Sequence, residues 1–287
     1  MGNDSIVAEE LTYRYGEFVA VDHINFSVAE GEILGFLGPN GAGKSTTWKM
    51  LTGQFKPKEG RVTIRGRDIA KDSQKVRAEI GVCFEYTNLY EQMTAGENLK
   101  LFAQLFGLGQ FDAESLLKRV GLEGWGKHRV EEFSKGMKQR LMIARSLVNR
   151  PKILFLDEPT SGLDPVSADA IRKIILEERD RGATVFLTTH DMWEADKLCN
   201  RVAFIDQGKI VAMDTPHDLK QRYGKRALKV EIASGDGPQY LEIPLDTTET
   251  PQAMQDLFSQ NKVVTIHSEE ATLEDIFIQL TGRSLEA

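Results

Sequence analysis

A glycine-rich segment that ends in a lysine and a serine is the part of this sequence best suited to chemistry. Residues 38–45 read Gly-Pro-Asn-Gly-Ala-Gly-Lys-Ser and fit the spacing G-x-x-x-x-G-K-[ST] of a phosphate-binding loop. The apolar run 33–37 before it predicts a buried strand, and residues 46–51 after it predict a helix. A glycine turn could match by accident, but strand, loop and helix together are the context that the motif requires.

The residue types in this loop suit the binding of nucleotide phosphates. Glycines let successive backbone N–H groups point at an anion, and the N-terminus of the following helix adds partial positive charge. We expect Lys44 to reach the β- and γ-phosphates and the Ser45 hydroxyl to ligate Mg²⁺. The predicted nucleotide-binding residues of the loop are Gly38, Pro39, Asn40, Gly41, Ala42, Gly43, Lys44, Ser45 and Thr46.

Acidic and histidine side chains follow two other predicted strands. Asp157 and Glu158 come directly after the apolar run 153–156, and His190 follows the run 184–187. At the carboxyl end of a central strand, Asp157 can hold Mg²⁺ through its hydration shell, and Glu158 can act as general base on the attacking water. His190 is expected at the same edge, where it would contact the γ-phosphate and position that water. Without the phosphate-binding loop, Asp157 and Glu158 could simply form a turn or a helix start, and His190 could be a structural histidine.

The elements that must position these residues can also be predicted. Short continuous apolar runs predict central strands of a parallel sheet, whereas alternation near the start of the chain predicts antiparallel strands. Strands are predicted at residues 11–15, 18–28, 61–64, 80–84, 153–156, 184–187, 202–205 and 210–213. Residues 88–148 have helical periodicity, and helix packing is the simplest interpretation of an apolar face formed by Leu99, Phe102, Leu105 and Phe106.

The composition of the chain changes after about residue 223. Residues 224–226 predict a linker to a small α/β region, in which strands are expected at 228–232, 240–243 and 263–266 and helices around 251–259 and 273–281. The sequence therefore predicts a large domain over residues 1–223 and a small accessory domain over 224–287.

Composition and charge exclude several classes of protein. The 287 residues are 41% hydrophobic and 28% charged, which is ordinary for a globular protein. The net charge of −7 argues against a nucleic-acid partner. Cys83 and Cys199 lack metal-ligand spacing and fit a reducing cytosol. Acidic residues interrupt the start of the chain, so no signal peptide is expected, and no apolar run approaches the ~18 residues of a membrane span. Any membrane role would have to come from a partner.

A second candidate anion site begins at residue 133. Residues 133–140 read Phe-Ser-Lys-Gly-Met-Lys-Gln-Arg and begin a predicted helix that runs to about residue 148. Ser134 is a plausible N-cap, and an ordinary capped helix is one interpretation. The other is that the Ser134 hydroxyl, the Gly136 N–H and the helix N-terminus face a phosphate.

These segments together resemble the ATP-binding cassette (ABC) family. Residues 133–139 resemble its signature motif and lie just upstream of the Asp157 strand, as they do in the family. Residues 161–164 resemble the D-loop, His190 the switch histidine, and Tyr15 the aromatic residue that stacks on adenine. The resemblance covers about residues 6–220, with the motifs in the family's order.

The resemblance implies a head-to-tail dimer with two ATP molecules between its subunits. Ser134, Gly136 and Asp164 of one subunit would then act at the nucleotide of the other. ATP binding would close the dimer and hydrolysis would open it.

Two departures from the family pattern are present. The common Leu-Ser-Gly-Gly-Gln is Phe-Ser-Lys-Gly-Met here, which resembles the variant in ATPase subunits of ABC-2 type exporters. Glu85 stands where the family has the Q-loop glutamine. We hypothesise that Glu85 still ligates Mg²⁺, with altered turnover, because both side chains present an oxygen at the same reach. The predicted metal ligands are therefore Ser45, Glu85 and Asp157.

The end of the chain carries a further resemblance. Residues 272–283 resemble the C-terminal ending of ABC-2 drug- and polysaccharide-type export ATPases. The alternative is only a capped amphipathic helix, with Thr272 as N-cap, Asp275 at the third helical position and Gly282 past the end.

The combined prediction is an α/β protein with a P-loop ABC ATPase domain. That domain has a parallel-sheet core, an N-terminal antiparallel β subdomain and a helical subdomain at about residues 88–148. We expect an ATPase that uses ATP and Mg²⁺, forms a homodimer or pairs with a related subunit, and drives a separate membrane permease for export. The permease would dock beside residues 85–110, which makes the chain cytoplasmic and peripheral on the inner face of the membrane. Nucleic acid is not expected as a partner.

Two alternatives of other classes remain at this point. One is a soluble ABC ATPase that acts on nucleic acid or the ribosome, although no second cassette, coiled-coil insertion or zinc insertion is visible. The other is a P-loop kinase or GTPase. A kinase gives no reason for the signature helix, and the Asn-Lys-x-Asp motif that GTPases use to read guanine is absent.

Overall fold

The computed structural model describes residues 4–224, 227–234, 237–245, 248, 250–260, 262–269 and 271–284. The chain forms two compact units, Met1–Met213 and Asp214–Ala287. The division differs from the sequence-based boundary at residue 223 by one helix. Pro216–Tyr223 lies in the second unit because it packs there against the helix Leu273–Thr281.

The first unit contains ten strands and seven α-helices within its described residues. The strands are β1 (Asp4–Tyr15), β2 (Phe18–Ala29), β3 (Ile33–Leu37), β4 (Glu59–Ile64), β5 (Arg67–Asp68), β6 (Ile80–Cys83), β7 (Ile153–Asp157), β8 (Thr184–Thr189), β9 (Arg201–Asp206) and β10 (Lys209–Asp214). The helices are α1 (Lys44–Leu51), α2 (Ser73–Glu79), α3 (Ala95–Leu105), α4 (Ala113–Arg119), α5 (Lys135–Ser146), α6 (Pro165–Asp180) and α7 (Met192–Leu198). Strand β10 ends one residue into the second unit.

A six-stranded sheet forms the centre of the first unit, in the order β10-β9-β3-β8-β7-β6. Strands β9, β3, β8, β7 and β6 pair in parallel, and every residue of β3, β7 and β8 is buried. The register pairs Leu37 with Thr189 and Asp157 with Thr188. The carboxyl ends of β3, β7 and β8 therefore meet at one edge, which confirms the predicted arrangement of the loop, the acidic pair and His190.

A second sheet covers one face of the central sheet. Its order is β2-β1-β4-β5, and its strands pair antiparallel, as the alternation near the start of the chain predicted. Phe26 of β2 packs against Phe36 of β3 and Phe186 of β8, with ring centroids 5.7 and 6.0 Å away. These rings belong to one apolar core that spans both sheets and fixes the strands on which the site is built.

The segment between β6 and β7 is helical, as the periodicity predicted. It contains α3, α4, a short 3₁₀ turn at Val130–Glu132 and α5. The predicted apolar face is only half correct. Leu99 is fully buried, but Leu105 is 71% exposed and Phe106 is 37% exposed, because α3 ends at Leu105 and leaves both side chains at the rim of a groove.

The second unit is a small α/β structure. Its elements are α8 (Pro216–Tyr223), β11 (Ala227–Ser234), β12 (Gly237–Pro244), α9 (Thr250–Gln260), β13 (Lys262–Glu269) and α10 (Leu273–Thr281). The strands form an antiparallel sheet in the order β12-β11-β13, and α9 packs on it around a core of Val230, Ile232, Ile243 and Leu257.

Helix α10 has the ends that the sequence predicted. Thr272 and Asp275 form a capping box, and Gly282 ends the helix at a φ of 72°. In the described part of the chain, no helix combines the length and the apolar character needed to cross a membrane.

Candidate active site

The glycine-rich loop connects β3 to α1, and two of its glycines are required by close packing. A Cβ on Gly38 would lie 2.2 Å from the carbonyl oxygen of Ile205. Gly43 has a φ of 112°, and a Cβ there would lie 2.6 Å from the carbonyl oxygen of Ala20. Because only glycine fits at both positions, the loop can pack this closely against the backbone of Ile205 and Ala20.

A cavity of about 440 Å³ opens above this loop, which is the size expected of a small-molecule site. It is lined by Tyr15, Phe18, Ala20, Pro39, Asn40, Gly41, Gly43, Lys44, Ser45, Thr46, Glu85, Asp157, Glu158, Ser161 and His190. The structure thus brings together residues from β1, the glycine loop and the ends of β6, β7 and β8. We call this set the nucleotide pocket. Gly38 and Ala42 belong to the loop but lie below the pocket surface.

Lys44 is buried within the loop at the first position of α1. Its Nζ donates hydrogen bonds to the carbonyl oxygens of Gly38 and Pro39, the second at 3.2 Å. Burial lowers the pKa of the ammonium, whereas the charges of Glu158, Asp157 and Glu85 raise it. The pocket therefore holds three carboxylates around one lysine, so an additional cation such as Mg²⁺ would balance its charge.

Asp157 is the last residue of β7 and is only 7% exposed. Its Oδ1 accepts a hydrogen bond from the Thr188 hydroxyl of β8. Burial raises the pKa of the Asp157 carboxyl, the Thr188 hydrogen bond lowers it, and the charges of Glu85 and Glu158 raise it further. Sequence reasoning missed Thr188. Thr188 could have been found from the parallel register of β7 and β8, which pairs it directly with Asp157.

Glu158 and His190 are joined by a hydrogen bond. His190 Nδ1 lies 2.9 Å from Glu158 Oε2, which connects the ends of β7 and β8. Glu158 has a φ of 48°, an unusual backbone conformation for a residue other than glycine and one found at functional sites. Its backbone N–H donates to the carbonyl oxygen of Thr188 at 3.1 Å. A carboxylate held in this way can take a proton from a water molecule in the pocket.

The predicted metal ligands fit Mg²⁺ in their chemistry. Ser45, Glu85 and Asp157 all line the nucleotide pocket, and they offer the hard oxygen ligands that Mg²⁺ prefers. Within the described ranges, no group of three or more histidine, cysteine or acidic side chains is arranged to hold a metal ion. In proteins, Mg²⁺ is commonly held by one or two carboxylates together with the phosphate oxygens of a substrate.

Tyr15 lies at the mouth of the pocket with part of its ring exposed. Its ring packs edge-on against Tyr13 and Phe55, with centroids 5.0 and 6.2 Å away, and its hydroxyl lies 3.5 Å from Thr46 Oγ1. Phe18 lines the same mouth and was not predicted. Both aromatic residues could offer a surface to a flat base.

Ser134, Gly136 and Asp164 do not line the nucleotide pocket. Ser134 caps α5 by accepting from the Met137 N–H at 3.2 Å, and Asp164 caps α6 by accepting from the Ser167 N–H at 3.0 Å. A Cβ on Gly136 would lie 2.7 Å from Ser167 Oγ and 3.9 Å from Asp164 Oδ2, so the starts of the two helices are neighbours. We call Ser134, Gly136 and Asp164 the signature face.

Comparisons with known proteins agree with this geometry. The family described as "ABC transporter" matches residues 21–161. A fluoroquinolones export ATP-binding protein of Mycobacterium tuberculosis is 44% identical over 99% of this chain and 96% of its own length. The chain belongs to the ABC transporter family. A daunorubicin resistance ATP-binding protein of Streptomyces coeruleorubidus is 35% identical over the full length of this ABC protein and 98% of its own.

A solved ABC structure is also similar. The ATP-binding cassette MJ0796, described as dimeric, in a post-hydrolysis state and bound to ADP and Pi, has a TM-score of 0.67 and is 30% identical over 73% of this chain and 98% of its own. These findings confirm the predicted ABC ATPase fold, ATP as the ligand and ATP hydrolysis as the activity. They also confirm an ATP-binding subunit of a transporter of the export type, in preference to the non-transport alternative.

Proposed function

We propose that this ABC protein hydrolyses Mg-ATP in the nucleotide pocket to drive export through a separate membrane permease, with Glu158 as the general base. The observation that carries the proposal is the Glu158–His190 hydrogen bond of 2.9 Å in the same pocket as Lys44 and Asp157. A general base beside a bound triphosphate activates the attacking water, and His190 orients both the base and the water.

The remaining pocket residues bind and orient the nucleotide. The loop from Gly38 to Thr46 binds the phosphates through its N–H groups, and Lys44 leaves the loop carbonyls for the β- and γ-phosphates. Tyr15 stacks on the adenine. Ser45, Glu85 and Asp157 hold Mg²⁺, which would neutralise charge on the phosphate oxygens when bound.

The proposed working form is a head-to-tail dimer of this chain, or a pair with a related subunit. The signature face carries two helix N-termini and a serine hydroxyl but lies outside the pocket of its own subunit, which supports a role at the nucleotide of a second copy. A dimeric relative bound to ADP and Pi supports the same arrangement.

A groove of about 720 Å³ is the proposed docking site of the permease. Phe84, Phe102, Leu105 and Phe106 give it an apolar surface, and Arg77 and Arg145 are the charged residues among its lining. None of the described residues that line it is acidic, although the chain as a whole carries a net charge of −7. An apolar segment with an acidic side chain would complement this groove. Docking on a permease would place the chain on the cytoplasmic face of the membrane.

The export direction is supported by the names of the relatives, which describe export of fluoroquinolones and resistance to daunorubicin. The experiment is co-purification with a candidate permease, followed by ATPase assays with and without that permease. We expect a stable complex and Mg²⁺-dependent hydrolysis that the Glu158→Gln variant lacks. Failure of every permease to bind, together with stimulation by RNA or DNA, would support the soluble ABC alternative instead.

A further inference from the structure

A buried carboxylate lies next to the hydrolytic residues, and the reaction described above does not use it. Glu194 of α7 has no exposed surface, and its Oε2 accepts a hydrogen bond from Thr160 Oγ1 at 2.8 Å. Thr189 Oγ1 lies 3.5 Å from the same oxygen. Thr160 belongs to the segment after β7 and Thr189 is the last residue of β8, so a single carboxylate joins two segments that leave neighbouring strands.

The stability of the fold is a poor explanation for a carboxylate at this position. Glu194 Oε1 is buried without a hydrogen-bond partner among the described residues, and its ion pair with Arg172 is long, at 3.8 Å. The Arg172 guanidinium is itself drawn over the ring of Trp193, 5.2 Å from its centroid. A buried carboxylate with an unsatisfied oxygen costs free energy, and an apolar side chain of similar volume would avoid that cost.

The two segments that Glu194 joins are those that carry the proposed catalytic pair. Thr160 follows Glu158 by two residues, and Thr189 directly precedes His190. The backbone N–H of Glu194 also donates to Asp191 Oδ1 at 2.9 Å, and the Asp191 N–H donates to Thr189 Oγ1 at 3.0 Å. The two segments that the Glu158–His190 hydrogen bond joins are therefore also joined by buried hydrogen bonds through Glu194.

We propose that Glu194 is a positioning residue for ATP hydrolysis, which holds Glu158 and His190 at hydrogen-bonding distance by joining Thr160 to Thr189. This inference rests on the roles proposed above for Glu158 and His190. Glu194 does not line the nucleotide pocket, so its loss disturbs the water-activation step and leaves the phosphate-binding loop intact.

The test is the steady-state ATPase activity of Glu194→Ala and Glu194→Gln. We expect kcat of Glu194→Ala to fall about tenfold or more while KM for ATP changes by less than about twofold, because only the geometry of water activation is lost. Glu194→Gln should keep most of the activity, because its amide oxygen can accept the Thr160 hydrogen bond. A kcat of Glu194→Ala within about twofold of the unaltered protein would overturn the proposal.

A matched control is available near the C-terminal end of α6. Glu178 is also a buried glutamate, 4% exposed, and it pairs with Arg119 and, at 3.0 Å, with Arg181. Glu178→Ala should lower the melting temperature without changing kcat at temperatures where the protein stays folded. An equal fall of kcat in Glu178→Ala would show that loss of any buried glutamate has this effect, and would overturn the proposal.

A milder variant keeps the proposal testable if Glu194→Ala does not fold. Thr160→Val replaces the hydroxyl with a methyl group of similar size, and it should lower kcat without raising KM. In Glu194→Gln the same change should again lower kcat, whereas in a folded Glu194→Ala it should add nothing. Unchanged kcat in Thr160→Val, or full additivity with Glu194→Ala, would contradict the proposed connection.

The experiment also separates this inference from the proposed function. Glu158→Gln and His190→Ala are measured in parallel. If they retain activity, the proposed catalytic pair is wrong. If they lose activity while Glu194→Ala and Thr160→Val do not, only the positioning role is wrong.

Discussion

The nucleotide pocket and the signature face are built in the same way, but the pocket contains many more charged and polar groups. Both are formed where a helix begins, and both contain a glycine at which an added Cβ would lie less than 3.0 Å from a neighbouring oxygen. The pocket also contains a lysine, three carboxylates and a histidine, and it encloses a cavity of about 440 Å³. The signature face does not line this cavity, and its Ser134 and Asp164 cap their own helices.

The difference shows what one copy of the chain can do. We propose that the pocket of one copy binds ATP and activates water, and that the signature face of another copy contacts the bound phosphates. If the two regions meet across a dimer, changes in the pocket and in the signature face should have separable effects on ATP binding and hydrolysis.

The largest effect is expected from Glu158→Gln in the pocket. Loss of a general base typically lowers the rate by about 10²–10⁴-fold, and the amide cannot take the proton from water. ATP binding should persist, because the phosphate-binding loop is unchanged. Phosphate release and equilibrium binding of a fluorescent ATP analogue measure the two properties. Hydrolysis within about threefold of the unaltered protein would exclude Glu158 as the base.

Ser134→Asp tests the signature face. Aspartate caps helices about as well as serine, so α5 should stay intact, but its charge would repel a phosphate. We expect hydrolysis to fall about tenfold or more, because like charges brought together cost several kcal/mol, while a single chain binds ATP normally. Ser134→Asn keeps the cap without the charge and should retain most of the activity. Equal activity of the two variants would mean that no phosphate approaches Ser134.

Tyr15→Ala affects binding in the pocket alone. Stacking of a base on an aromatic ring is worth about 1–3 kcal/mol, so KM for ATP should rise at least about fivefold with kcat unchanged at saturation. Tyr15→Phe keeps the ring and serves as the control. If Tyr15→Ala binds ATP as tightly as Tyr15→Phe does, the base does not stack there.

Glu85→Gln should have the smallest effect of the four. Removal of one negative charge near the metal is worth about 1 kcal/mol at 4 Å in water, so the Mg²⁺ concentration for half-maximal activity should shift about threefold to fivefold. Glu91→Gln is a control on an exposed glutamate that pairs with Lys138 outside the pocket. An unchanged Mg²⁺ dependence in Glu85→Gln would mean that Glu85 is not a ligand.

Much of the pocket could be predicted because parallel strands carry their carboxyl ends to one edge. The motif at 38–45 and the positions of Asp157, Glu158 and His190 after apolar runs were therefore sufficient to bring these side chains together. The second unit was predicted in outline for a similar reason, since the ends of α10 are encoded locally by Thr272, Asp275 and Gly282.

The parts that could not be predicted depend on contacts between distant segments. Nothing in the local sequence distinguishes Thr188, which donates to Asp157, from its neighbour Thr189, which lies beside Glu194. Helical periodicity placed Leu105 on the packed face of α3, but it cannot show that the helix ends before a neighbour covers that residue.

The most direct test of the account is the mass of the Glu158→Gln variant in solution, measured by light scattering with and without Mg-ATP. A single chain has a mass of 32.2 kDa. If each nucleotide is bound between the pocket of one copy and the signature face of another, Mg-ATP should convert the protein to twice that mass, and Ser134→Asp should prevent the conversion. A species that binds ATP but keeps the mass of one chain, even beside its permease, would contradict the account.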